Sequence, residues 1–253
     1  MIAQTVAALV GGRIIQRTLP GPTEELTPGL PWGRAEALFT PAFWATQVWI
    51  FQEQVGRQPT LRSGQNLAEE VAACILGGYG IRGECSRAAF LRLRDRGLLE
   101  RAPNVDQIEA ALLEPLFLGE RAVRYRFPHT KARLLAASLS RLCESDIPMS
   151  SDRAFRNALL DLPGIGLKTA SWITRNWLHS NHVAILDVHV LRAGQLLGFF
   201  REQDRLPRDY LSMEERFLRF AELLGEPASL LDLVIWMQMR RVSSTASQIL
   251  RSS

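Results

Sequence analysis

Apolar residues return at helical spacing along most of this 253-residue chain, and that regularity limits the possible fold more than any other feature. Leu67, Val71, Cys74 and Ile75 make one stripe, and Leu135, Leu139 and Leu142 another. Phe155, Ala158, Leu159 and Leu162 follow, then Val190, Ala193 and Leu197, then Phe217, Phe220, Ala221 and Leu224, then Leu231, Val234, Ile235 and Met239. Strand-like alternation is scarce, so the fold is expected to be all-α. Ahead of Pro41 the chain carries Pro20, Pro22, Pro28 and Pro31 with Gly21, Gly29 and Gly33, which predicts an irregular lead-in laid over a core. Breaks are expected at Gly77-Gly78-Tyr79-Gly80, at Arg126-Phe127-Pro128, at Ile147-Pro148, at Gly164 and around Pro207, and Ser212 with Glu215 reads as a capping box.

One break carries chemistry. Ser150 or Ser151 can cap a helix running through Leu160, and Pro163-Gly164-Ile165-Gly166 turns the chain into a second helix ending near Trp177. Glycines at that turn leave backbone N–H groups open at a helix N-terminus, where unpaired donors and the helix dipole favour a phosphate oxygen. Such a helix-hairpin-helix grips a nucleic-acid backbone without reading sequence. A turn of this kind also serves simply to join two helices.

Lys168 stands at the start of the second helix, and Lys131 is the only other lysine among thirty Lys plus Arg. Arginine serves for phosphates and ion pairs but does not lose its proton, whereas a lysine can become a nucleophile. A free lysine amine holds its proton to about pH 10.4, so a neutral amine at pH 7 costs about 4–5 kcal/mol. Desolvation and a helix N-terminus reduce that cost, and a nearby carboxylate increases it. Asp187, at the start of a further helix, supplies a carboxylate. The fitting reaction is attack of the Lys168 amine on C1′ of a deoxyribose whose base departs, giving a Schiff base that eliminates the 3′ phosphate. Asp187 would stabilise positive charge on the sugar. In the plainer readings Lys168 meets a phosphate, Asp187 is an N-cap, and His189 is structural.

Composition narrows the setting. A net charge of +4 permits an anionic partner without requiring one. No apolar run approaches the roughly 18–20 residues of a membrane span, and the short apolar start lacks the basic lead of a secretory signal. Cys74, Cys85 and Cys143 fit reduced thiols of a cytoplasmic protein better than a disulfide framework, and three cysteines cannot supply the four thiolates of an iron–sulfur cluster.

At Leu162-Pro163-Gly164-Ile165-Gly166, Lys168 and Asp187 the chain resembles the helix-hairpin-helix superfamily of DNA glycosylases, and Lys168 resembles the lysine of the branch that also cleaves the strand. Further stretches are similar to the bacterial and archaeal second class of 8-oxoguanine DNA glycosylase/AP lyases: Lys168-Thr169-Ala170-Ser171 with Arg175-Asn176, Ala184 to Arg192, Arg124 to Pro128, and Leu231 to Trp236. The likeness runs from about Leu67 to Val242. It implies two helical subdomains with the active site in the cleft between them. Residues 1–65 would pack with the C-terminal helices, residues 66–180 would form a bundle ending in the hairpin, and residues 181–253 would complete the second subdomain.

The activity so implied is excision of an oxidised purine, 8-oxoguanine, from double-stranded DNA, followed by β-elimination, by a monomer without cofactor or metal, associated with the nucleoid. Lys168 and Asp187 are the expected catalytic residues. Gly164, Ile165, Gly166 and Thr169 are expected to hold the backbone, with Tyr79 as wedge and Arg126 and Lys131 at phosphates. Trp236 and Cys74 are placed at the base pocket by the resemblance. Two departures stand out: Gly77-Gly78-Tyr79-Gly80 replaces a polar loop that enters the duplex, and Met239-Arg240-Arg241-Val242 replaces a C-terminal lysine of the base pocket. Another target base, or a non-catalytic DNA-binding module, remains as the alternative.

Overall fold

The computed structural model describes residues 2–252 apart from 57, 58, 79, 101–103 and 145, and describes 242–252 in backbone only. Tyr79 therefore lies outside the described residues. The chain divides into two compact units, Met1–Thr60 with Asn181–Ser253, and Leu61–Ser180.

The second unit is helical. It contains α2 (Leu67–Leu76), α3 (Gly83–Asp95), α4 (Val105–Leu113), a small hairpin of β5 (Leu116–Leu118) and β6 (Arg121–Val123), α5 (Pro128–Glu144), α6 (Asp152–Ala158) and α7 (Leu167–Leu178). Helices α2, α4 and α6 begin where short polar side chains satisfy the first amides: Asn66 caps α2, Asn104 caps α4 and Ser151 caps α6. Their apolar stripes meet in one core of Val71, Ile75, Phe90, Ile108, Leu135, Leu139, Phe155 and Ile173. Leu162 and Ile165 of the hairpin reach into the same core, which ties the turn to the bundle.

The first unit joins the two ends of the chain. Helix α1 (Pro41–Val55) packs against α10 (Ala228–Ser252), which also contacts α8 (Val188–Leu197) and α9 (Tyr210–Leu224). Trp44, Val48, Phe217, Phe220, Leu231 and Ile235 are buried.

The lead-in is not irregular. Antiparallel strands β1 (Gln4–Val10) and β2 (Arg13–Leu19) pair in full register from Gln4↔Leu19 to Val10↔Arg13, and β3 (Glu25–Thr27) pairs with β4 (Leu30–Pro31). Gly11 and Gly12 both adopt positive φ, +54° and +78°, as the tight turn between two twisted strands demands. Gln4, Val6, Ala8 and Val10 face inward in alternation, a strand period that the count of Pro and Gly further along had hidden. The Ser212 capping box is also corrected. Helix α9 starts at Tyr210, so that Asp209 and not Ser212 holds the N-cap position, and the Ser212 hydroxyl donates back to the Asp209 carbonyl at 3.0 Å from within the first turn.

Candidate active site and nucleic-acid interface

The hairpin is built from α6, a single 3-10 turn (Leu159–Asp161), the exposed Pro163 and Gly164, and α7. The Ser138 hydroxyl of α5 fixes it from behind by donating to the Pro163 carbonyl at 2.6 Å. Gly164 has φ +79°, and a Cβ there would stand 2.9 Å from Leu134 Cδ1, so both conformation and space require glycine. Gly166 is the N-cap of α7, is exposed, and has open space where a side chain would be. No side chain caps α7, which leaves the first-turn amides of Leu167, Lys168 and Thr169 without a side-chain acceptor. An anion meets bare donors and the positive end of the dipole there. Ile165 is corrected as a backbone-gripping residue: its amide donates to the Leu162 carbonyl at 3.1 Å and its side chain is buried, so it anchors the turn.

Lys168 is half-buried at the second position of α7, one turn ahead of Trp172, with its Nζ 5.4 Å from the indole centroid. The amine itself, and not only the stem, therefore stands over the indole face. Behind it lies a buried polar cluster whose parts the sequence left unassigned. Glu70 accepts hydrogen bonds from the Ser63 amide (2.6 Å), the Gly64 amide (3.0 Å) and Asn176 Nδ2 (2.7 Å), and Arg175 binds Asn176 Oδ1 at 3.0 Å. The signal was available as a glutamate on the apolar face of α2, where an ionised side chain needs such partners.

Cys74 belongs to this cluster and not to an open pocket. It is 3% exposed, with its Sγ 3.8 Å from Glu70 Oε1. Burial pushes its thiol well above the usual range and the Glu70 charge adds to that, against opposing effects of Arg175 and Lys168. In this structure the thiol is closed off by these partners and lines no open surface. Lys131 is corrected as a phosphate contact for a similar reason, since its Nζ donates to the carbonyls of Ile75 (2.5 Å) and Gly77 (2.9 Å). Arg126 donates to Gly80 O at 3.2 Å and lies over the Phe127 ring, yet stays exposed and open to a further anion.

In the other unit Asp187 is the N-cap of α8. Its Oδ1 accepts from the amides of His189 (2.8 Å) and Val190 (3.0 Å), while Oδ2 has no hydrogen-bond partner among the described residues. One oxygen thus holds the helix and the other makes no hydrogen bond among the described residues. The loop that delivers it is laced to α9 and α10 by buried polar groups. Ala184 N donates to Glu214 (3.0 Å), Ile185 N to Asp232 (2.9 Å), and the Tyr210 hydroxyl donates to Ala184 O (2.7 Å) and accepts from Leu186 N (3.3 Å). Sequence reasoning missed Glu214 and Tyr210, which in the sequence look like ordinary members of a helical stripe. Trp236 is 37% exposed on α10, with Arg240 over its ring at 4.7 Å, so an aromatic face is available there only alongside a guanidinium. Among the described residues no three His, Cys, Asp or Glu side chains are grouped to hold a metal ion, and no helix is long and apolar enough to cross a membrane.

The 8-oxoguanine DNA glycosylase family profile of the helix-hairpin-helix type matches residues 57–226. An 8-oxoguanine DNA glycosylase/AP lyase of Metallosphaera sedula is 30% identical over 154 residues, 58% of this chain and 71% of that protein. The crystal structure of the Methanocaldococcus jannaschii 8-oxoguanine DNA glycosylase superposes with a TM-score of 0.60 at 22% identity, covering 77% of this chain and 92% of that one. The same archaeal enzyme in complex with a 15mer DNA containing 8-oxoguanine gives 0.57 at 22% identity, covering 77% and 95%. With a match across two thirds of its length, including the hairpin, Lys168 and Asp187, the chain belongs to the 8-oxoguanine DNA glycosylase family.

Proposed function

We propose that this protein excises 8-oxoguanine from double-stranded DNA and then cleaves the strand, with Lys168 as nucleophile and Asp187 as the charge-stabilising carboxylate. The observation that carries the reading is a lysine amine, over Trp172, on the first turn of a helix whose N-terminus has no side-chain cap. The bare amides of α7 and the exposed Gly164 and Gly166 hold the backbone of the damaged strand, which brings the sugar to the amine on the same helix turn.

As the glycosidic bond breaks, the base departs with the bonding electrons and takes up a proton, and positive charge gathers on the sugar. The carboxylate of Asp187 opposes that charge through the oxygen not used in capping. The Lys168 nitrogen, once free of its proton, forms the new bond to C1′. Opening of the sugar ring yields the Schiff base. Loss of a C2′ proton then expels the 3′ phosphate, and water releases the amine.

A panel of duplexes, each bearing a different damaged base, tests the assignment through borohydride trapping. Reduction of the Schiff base to a stable amine should give a covalent complex with the 8-oxoguanine duplex and none with Lys168→Gln. Trapping that survives in Lys168→Gln, or that prefers another lesion, refutes the nucleophile or the substrate respectively.

A further inference from the structure

The two lysines of this chain come together in one unit. Lys131 reaches from α5 to the end of α2, where its ammonium donates to the carbonyls of Ile75 and Gly77. The carbonyl between them, of Leu76, accepts from the Tyr125 hydroxyl at 2.6 Å. Three successive carbonyls at a helix C-terminus are thus capped from another segment, and α2 has no basic residue of its own in its last turn. The loop held in this way lies against Trp172: a Cβ on Gly77 would be 3.1 Å from that ring, and one on Gly78 would be 3.9 Å from Lys131 Nζ. Lys168 Nζ lies by the same ring. Burial, and after it the charge of Lys168, lowers the Lys131 pKa.

This arrangement has a consequence for the amine. Two bare carbonyls at the negative end of α2 would attract a cation, and Lys168 stands over the same Trp172 ring against which the loop packs. Its amine, turned toward them and held in its protonated form, would be drawn away from a sugar. A compact ammonium fits two converging carbonyls where a planar guanidinium fits less well, which gives a reason for lysine in a chain that otherwise uses arginine.

We propose that Lys131 is a positioning residue for the reaction: by occupying the carbonyls of Ile75 and Gly77 it locks the glycine loop against Trp172 and leaves the Lys168 amine free to attack. The inference rests on the reading of Lys168 as nucleophile. The test is single-turnover borohydride trapping on a duplex with one abasic site, at saturating protein, together with duplex affinity. Lys131→Met keeps the shape and removes the donor. It should lower the trapping rate about 10²-fold, the effect of misplacing a reacting group by about 1 Å, while affinity stays within about threefold. Lys131→Arg, which returns a cation to the carbonyls in a poorer fit, should recover part of the rate. If the methionine variant does not fold, Lys131→Gln, with a neutral donor, should show an intermediate rate.

Methionine and arginine variants of equal rate, or a loss matched by lost affinity, would overturn the proposal and leave packing as the role of Lys131. Lys168→Gln separates the two levels. Trapping that persists in that variant defeats the nucleophile assignment itself, whereas trapping lost there but unchanged in Lys131→Met defeats only the inference about Lys131.

Discussion

Asp187 allows capping and catalysis to be separated by a single atom. Both amide donors to its side chain, from His189 and Val190, end on Oδ1. Asparagine presents the same Oδ1 and ranks with aspartate as an N-cap, so Asp187→Asn keeps both bonds and loses only the interaction of the charge with the dipole of α8, about 0.3–1 kcal/mol. Asp187→Ala loses the bonds as well, for about 1 kcal/mol more. In a domain of this size each kcal/mol moves Tm by about 2–4 °C, so the asparagine variant should melt within about 4 °C of the parent and the alanine variant a few degrees lower. Excision responds in a different order. Neutralising the group that opposes the sugar's positive charge should cost about 10²–10³-fold in single-turnover rate in both variants, the usual effect of removing one preorganised electrostatic partner. Thermal unfolding by circular dichroism and quenched-flow excision on one 8-oxoguanine duplex measure the two scales side by side. An asparagine variant with parental excision, or one whose rate falls only as far as its stability does, refutes the separation and returns Asp187 to an N-cap alone.

Other perturbations have equally definite outcomes. Gly164→Ala should lose about 1–2 kcal/mol through its left-handed backbone alone, with Leu134 forced aside as well, and should weaken duplex binding in a filter or anisotropy assay; binding and melting at parental values would show that the turn does not need glycine. Tyr210→Phe strands the Ala184 carbonyl and the Leu186 amide, and about 1–3 kcal/mol should disappear in urea unfolding, with slower excision since the loop leads to Asp187. Asp209 is held down to about 2, against an ordinary 3.8, by its Arg208 hydrogen bond and then by the Arg205 amide. Its folded pKa lies below its unfolded one, so its stabilising contribution is complete above about pH 4 and fades as the pH falls toward 2. The urea midpoint of Asp209→Asn should therefore vary less across that interval than the parent's, and an identical slope would count against the linkage.

How much of this was legible in advance follows from the range over which each signal acts. Helical periodicity, the cap read at Ser150 or Ser151, and the Leu-Pro-Gly-Ile-Gly turn are local. They depend on residues within one or two turns of each other, so inspection of the chain found the helices and the hairpin. The β1–β2 hairpin was equally local, with Gly11-Gly12 between two alternating runs, but the prolines further along drew the reading toward an irregular segment. Cys74 and Lys131 were misplaced because their surroundings come from other elements: Glu70 and Asn176 close over the one, and the end of α2 engages the other.

The order of residue types by itself determined that the chain would be helical, that a glycine turn would expose amides at the head of α7, and that Lys168 and Asp187 would stand at helix starts. These are consequences of backbone sterics and of spacing along the chain. Only the tertiary structure decided which oxygen of Asp187 stays unbonded, which carbonyls occupy Lys131, and that Glu214, Asp232 and Tyr210 converge on the loop from Ala184 to Leu186. Such buried polar pairings join residues far apart in sequence. Each forms because an unpaired donor or acceptor away from water costs more than the ordering needed to bring its partner to it.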